Sequence, residues 1–227
     1  MNKTMKSWLM LAAAACFIAG LSGCQMISYA LMRLEPPKKV DAQYKPPAGK
    51  KVLVFVDDVA HPVNYEPIKR ELAEQLGSQL VEHKLAASTI PYERVMGMMA
   101  ADTKFNDVSI NGVVEIGRKL GADLVLYVEI KGFKLKEDER SPLWEGRLET
   151  AVRWVDCSAA KSDEARLWPK DMPASSGFEV KAVTAPVKED PSLAYGQELA
   201  KDLAEKMAVR IGRLFYDYEV KKDEVEE

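Results

Sequence analysis

Histidine and cysteine are scarce in this chain, with two and three respectively among 227 residues. A zinc site or a disulfide framework has little to build on. No dense run of Lys or Arg occurs, and the formal net charge is -3 with a pI near 5.7. Nucleic-acid binding draws on a basic face that displaces counterions, so the overall charge offers no reason for it. P-loop, nucleophile-elbow and zincin motifs are all missing. The leading apolar stretch, Trp8 to Leu21, is shorter than the roughly 20 residues that cross a bilayer core. To span, it would have to continue through Ser22, Gly23 and Gln25 to reach Ile27 and Leu31.

What is present is 47% hydrophobic and 30% charged sequence, enough to bury a core and remain dissolved. One domain with appendages is expected. Lys3 and Lys6 ahead of the short apolar run read as the n-region and h-region of a secretory signal. The run closes on Leu21-Ser22-Gly23-Cys24. These four residues resemble the lipobox of bacterial lipoproteins, in which the cysteine thiol receives a diacylglyceryl group and the peptidase cuts just before it. The resemblance implies that Cys24 is the acylated first residue of the mature chain. Several acyl chains together hold a membrane stably where one would not. The alternative is an ordinary cysteine at the end of a signal peptide.

On the lipoprotein reading Cys16 leaves with the signal and Cys24 is blocked by lipid, so Cys157 remains as the one free thiol and no intramolecular disulfide forms. Cys157 ends a predicted strand with no His nearby in sequence, which marks a bystander rather than a nucleophile. Gln25 follows the lipidated cysteine, and by analogy with the enterobacterial sorting rule a residue other than Asp there implies the outer membrane, periplasmic face. The expected organisation is a signal peptide over 1–23, a lipid-anchored Pro-rich linker over 24–50, a periplasmic α/β domain over 51–218 and a charged tail over 219–227.

Val52 to Val56 is a continuous apolar run stopped by Asp57-Asp58, the mark of a strand buried on both faces. Ile68, Leu72, Leu76 and Leu80 recur every fourth residue after Pro67, predicting an amphipathic helix to about His83. A short strand is expected around Ala86 to Ile90, then a helix opening at Pro91 and running through Met96, Met98 and Met99. Those methionines read as core filling rather than a copper site, which would want a His or Cys partner. Ser109 is placed to cap a helix over Ile110 to Leu120, and Gly121 to close it in the left-handed conformation. Leu124 to Ile130 is a second apolar strand. Strand, helix, helix, strand in this order implies a parallel pair with a crossover.

From Trp144 to Trp154 the period changes to two, with Leu148, Val152 and Trp154 alternating with Glu149 and Arg153; an antiparallel strand with one wet face is expected. Ala165 to Trp168 and Phe178 to Val183 are further short strands toward an edge. Leu193 through Leu214 mark a long terminal helix. The fold class is therefore α/β (α+β): a mixed sheet with parallel central strands and antiparallel edge strands, covered by helices including the C-terminal one.

The stretches "KKVLVFVDD", "EIGRKLGADLVLYVEI" and "TAVRWVDCSAAKSDEARLWPKD" resemble the periplasmic lipoprotein superfamily that includes the curli secretion lipoprotein CsgG, the penicillin-binding-protein activator LpoB and the N-terminal domain of TolB. The resemblance spans roughly residues 50 to 216 and concerns fold more than chemistry. One departure is that segments 131–143 and 156–178 are short, charged and Pro-containing, without the alternation of a transmembrane barrel strand, so a pore is disfavoured.

Asp57 and Asp58 lie just after the first strand, where open α/β sheets place functional groups. With His61 they form an imaginable ligand or metal cluster, set against the commoner solvated turn at a strand end. No catalytic residue and no cofactor is assigned, and the chain is read as non-enzymatic. Two classes stay open: a lipid-anchored interaction or assembly module with a periplasmic or outer-membrane protein partner and a possible homo-oligomeric state, or a binding protein or enzyme with its site near Asp57.

Overall fold

The computed structural model describes residues 38–58, 63, 65, 67–101, 109–136, 143–173, 176–184 and 193–220. Cys24 and His61 lie outside them. The chain divides into two units, one of residues 1–40 and 219–227 and the other of residues 41–218. β1 (Lys38–Val40) and β8 (Tyr218–Val220) form a two-stranded ribbon. Lys39 and Glu219 approach to 3.7 Å there, an exposed pair that contributes little.

The second unit is a mixed sheet between two helical layers. Its strands are β2 (Lys51–Asp57), β3 (Ser88–Thr89), β4 (Leu124–Lys134), β5 (Arg147–Asp156), β6 (Arg166–Trp168) and β7 (Phe178–Val183). Their order is β3-β2-β4-β5-β6, with β7 also bonded to β5. β2 runs parallel to β3 and β4, and β5 is antiparallel to β4, β6 and β7. The helices are α1 (Pro67–Glu82), α2 (Tyr92–Ala101), α3 (Ile110–Leu120), a single turn α4 (Ser162–Ala165) and α5 (Leu193–Gly212). The mixed sheet and the long C-terminal helix match the expected class.

Strand periodicity sorts the side chains into two cores. Val52, Val54, Val56, Leu126, Val128 and Trp154 pack with Leu72 and Leu76 of α1 and with Leu203 and Met207 of α5. Leu53, Phe55, Val125, Tyr127 and Val155 pack on the other face with Val95 of α2 and Val113 and Ile116 of α3. β2 and β4 are apolar on both faces because both are covered.

α3 forms as its sequence predicts. Ser109 Oγ accepts from Gly112 N at 3.3 Å, and Gly121 adopts φ 73°. Ala122 N then donates to Gly117 O at 2.8 Å and Gly121 N to Arg118 O at 3.0 Å, which satisfies two carbonyls that the helix end leaves free.

Three features differ from expectation. β4 runs past Ile130 to Lys134, with its pairing to β5 shifting between Ile130 and Gly132. The odd positions of β5 are wet only at Arg147 and Glu149; Ala151, Arg153 and Val155 are buried. Residues 41–50, read from their prolines as linker, make specific bonds: Gln43 N and Tyr44 N donate to Leu214 O, Ala42 N donates to Asp217 Oδ1, and the Tyr44 ring stacks on Trp168. Two hydrogen bonds from Ala42 and Lys45 hold the exposed Asp217 carboxyl below its usual range. Of the α2 methionines, Met98 and Met99 pack on the second core while Met96 is exposed.

Cys157 is buried, and burial, with smaller contributions from Asp156 and Asp123, pushes its thiol up to about 11. It fills the space opposite Gly117, where a Cβ would collide with Cys157 Sγ and stand 2.7 Å from Val125 Cγ2. Gly117→Ala is expected to overpack this site at a cost of about 1–3 kcal/mol. That lowers the melting temperature by about 2–4 °C per kcal/mol for a chain of this size. Adding Cys157→Ala should recover part of the loss in a thermal melt, and an unchanged melting point in Gly117→Ala would refute the contact.

Candidate functional site: the charged cluster at the carboxyl end of the parallel strands

Asp57 and Asp58 are adjacent in sequence but serve different surroundings, because successive strand residues face opposite sides. The Asp57 side chain is buried and accepts from Tyr127 Oη at 2.7 Å. Asp58 turns to the next loop and helix: its Oδ2 accepts from Val63 N at 2.9 Å and its Oδ1 from Lys69 Nζ of α1 at 3.1 Å. This half-buried brace ties the end of β2 to the start of α1. The structure thus does not bring Asp57 and Asp58 together on one ligand, and no group of three His, Cys, Asp or Glu among the described residues is placed to hold a metal ion.

What Asp57 does meet lies on β4, whose own charge partner lies on β5. In the parallel register Asp57 stands beside Glu129, and in the antiparallel one Tyr127 stands beside Arg153. Glu129 Oε2 accepts from Arg153 Nη2 at 3.2 Å and its Oε1 from Lys131 Nζ at 2.6 Å. The Arg153 guanidinium also lies over the Tyr127 ring, 4.6 Å from its centroid. Two neighbouring carboxylates in a covered position repel each other and lose hydration, so each requires donors. Tyr127 supplies one for Asp57, and Arg153 and Lys131 supply them for Glu129. Burial first, then the charge of Asp57 and its hydrogen bond, raises the Tyr127 phenol well above 10 and keeps it a donor.

Tyr127, Glu129, Lys131 and Arg153 were not among the sequence candidates. The available signal was a charge inside an otherwise apolar strand: Glu129 in "LVLYVEI" and Arg153 in "AVRWV". A charged residue in a doubly covered strand needs a partner of opposite sign.

Among the described residues, a pair of the surface cavities lies beside the sheet. One of about 280 Å³ opens at the amino end of β4, lined by Lys50, Arg118, Asp123, Asp156 and Cys157. Three of its charged side chains are already engaged: Arg118 Nη2 donates to Ala159 O at 2.6 Å, Asp123 Oδ2 accepts from Lys51 N, and Asp156 Oδ1 accepts from Ser158 N. The other, about 270 Å³, lies past the shift in β4, lined by Gly132, Phe133, Lys134, Arg147 and Glu149.

No family model matches the chain, and no curated protein matches it by sequence. Among solved structures it is similar to the PelC dodecamer from Paraburkholderia phytofirmans, at 10% identity and TM-score 0.40 over 80% of this chain and 97% of that one. It is also similar to lipoprotein GNA1162 from Neisseria meningitidis, at 14% identity and TM-score 0.39 over 72% and 99%. A third is the LpoB C-terminal domain from Salmonella enterica, at 14% identity and TM-score 0.34 over 60% and 83%. Likenesses this distant carry no argument about activity. No helix among the described residues is long and apolar enough to cross a membrane.

Removing Arg153 leaves the buried Glu129 carboxylate with Lys131 as its remaining cation, so Arg153→Leu is expected to destabilise by at most about 3–5 kcal/mol, the loss for a buried charge left with no partner. Arg153→Leu with Glu129→Leu should recover most of it in denaturant melts; additive losses would show that the pair is not coupled. Tyr127 makes a separate pH prediction. Its folded-state value is raised above the ordinary 10.0, so its contribution is complete below that pH and is lost as pH rises toward the folded value. Wild type should therefore lose stability faster than Tyr127→Phe on the alkaline side of about pH 10. Parallel pH curves for the two would contradict the assignment.

Proposed function

We propose that this chain is a lipid-anchored cell-envelope protein whose periplasmic domain acts as an interaction or assembly module. The observation that carries the reading is Leu21-Ser22-Gly23-Cys24 behind a short apolar run, ahead of a domain built on a covered mixed sheet. Residues 1–23 are the signal peptide, Cys24 carries the lipid, and Gln25 directs the chain to the periplasmic face of the outer membrane. The stretches that resemble the CsgG, LpoB and TolB group support the same compartment. The cluster at the carboxyl end of the parallel strands supports a structural role for its carboxylates, since Asp57, Asp58 and Glu129 each accept hydrogen bonds from the protein's own donors. Function then lies in what the tethered surface meets, a periplasmic or outer-membrane protein.

Cys24→Ala is expected to abolish acylation, block cleavage and leave a larger precursor. Metabolic labelling with palmitate and a gel-shift assay read both effects. Unchanged mass and labelling in the variant would overturn the lipoprotein reading.

A further inference from the structure

β7 lies at an edge of the sheet. Thr184 N donates to Gly146 O at 2.9 Å, and the paired register of β7 on β5 then turns the backbone groups of Phe178, Val180 and Ala182 inward. Those of Glu179, Lys181 and Val183 point away from β5, and among the described residues no strand meets them. An edge of this kind templates pairing with another strand unless something covers it. Arg210 of α5 does so in part: its Nη1 donates to Lys181 O at 2.7 Å, on the outward side. Gly177 fixes the start of the strand, because a Cβ there would stand 2.9 Å from Val152 N, so the edge is held close against β5.

The outward face of β7 also carries a self-complementary charge pattern. Glu179 and Lys181 are both exposed, with Lys181 Nζ 3.1 Å from Glu149 Oε1. When two β7 strands pair antiparallel about a twofold axis through Val180, Glu179 of each copy stands opposite Lys181 of the other. Residues 179 and 181 are also those whose backbone groups face outward, so the charge register and the hydrogen-bond register coincide. A register shifted by two residues loses that match.

We infer that the outer edge of β7 is a homotypic interaction surface, on which a second copy adds its own β7 antiparallel about Val180, and that Arg210 gates it by occupying the Lys181 carbonyl. Two copies joined here continue the mixed sheet across the axis. The inference goes beyond the anchored-module reading and does not depend on Cys24.

The test is disulfide trapping in the purified full chain. Residues facing each other in a non-hydrogen-bonded antiparallel pair have Cα atoms about 4.5 Å apart, within disulfide range. Val180→Cys should therefore give a reductant-sensitive dimer above the background of the unsubstituted chain. Val183→Cys, although more exposed, should not, because its twofold mate lies several residues away. Adding Arg210→Ala should raise the Val180 dimer about fivefold, the ratio that corresponds to one net hydrogen bond of ~1 kcal/mol. Adding Lys181→Glu, which sets like charges opposite each other, should return it to background. Because Val180 is buried, a 1:1 mixture of Glu179→Cys and Lys181→Cys chains provides a second probe on surface positions, expected to dimerise more than either alone. Equal trapping at Val183 and Val180, or a monomer at Val180 and in the mixture with and without Arg210, would overturn the proposal.

Discussion

β4 is hydrogen-bonded along both edges and covered on both faces, and most of this structure follows from that position. Its parallel partner β2 and antiparallel partner β5 must present matching apolar rows, which "VLVFV" and "AVRWV" do. Its covered faces require two helical layers, which the α1/α5 and α2/α3 pairs supply. A strand so enclosed tolerates Glu129 only with charge partners on the same face. Arg153 in the neighbouring strand and Lys131 two residues along meet that demand, and the Tyr127 hydroxyl meets it for Asp57.

The same constraint changes how the carboxyl end of the parallel strands is understood. In open α/β sheets that end is the usual place for ligands, and a pair of aspartates there invites a chemical role. The geometry separates them: Asp57 joins a buried network with Tyr127, and Asp58 braces β2 against α1 through Lys69. A buried ion network of this kind is weak evidence for net stability, yet removing one member is costly. That asymmetry accounts for charges in these strands without invoking a substrate.

Much of the fold was readable because its signals are local. Ser109 and Gly121 bracket α3 through backbone chemistry that acts within a few residues, and the four-residue spacing of Ile68 to Leu80 reports one helix face. Features set by distant partners were not readable. Arg153 is buried against Glu129 and the Tyr127 ring across the β4–β5 ladder, so alternation in β5 suggested a wet face that the tertiary structure covers. The Pro-rich segment 41–50 looked like linker because its anchoring partners, Leu214 and Asp217, lie some 170 positions away in sequence. Tyr127 passed as one more aromatic in an apolar run, since nothing local reveals that its hydroxyl meets Asp57.

The domain accounts for how its own charges are satisfied, while the proposed link to the envelope rests on Cys24. The most direct measurement is the mass of the N-terminal peptide from the chain isolated from the envelope of a cell that makes it. The account predicts a chain beginning at Cys24 and bearing a diacylglyceryl group. A chain that begins elsewhere, or a Cys24 with a free thiol, would contradict it.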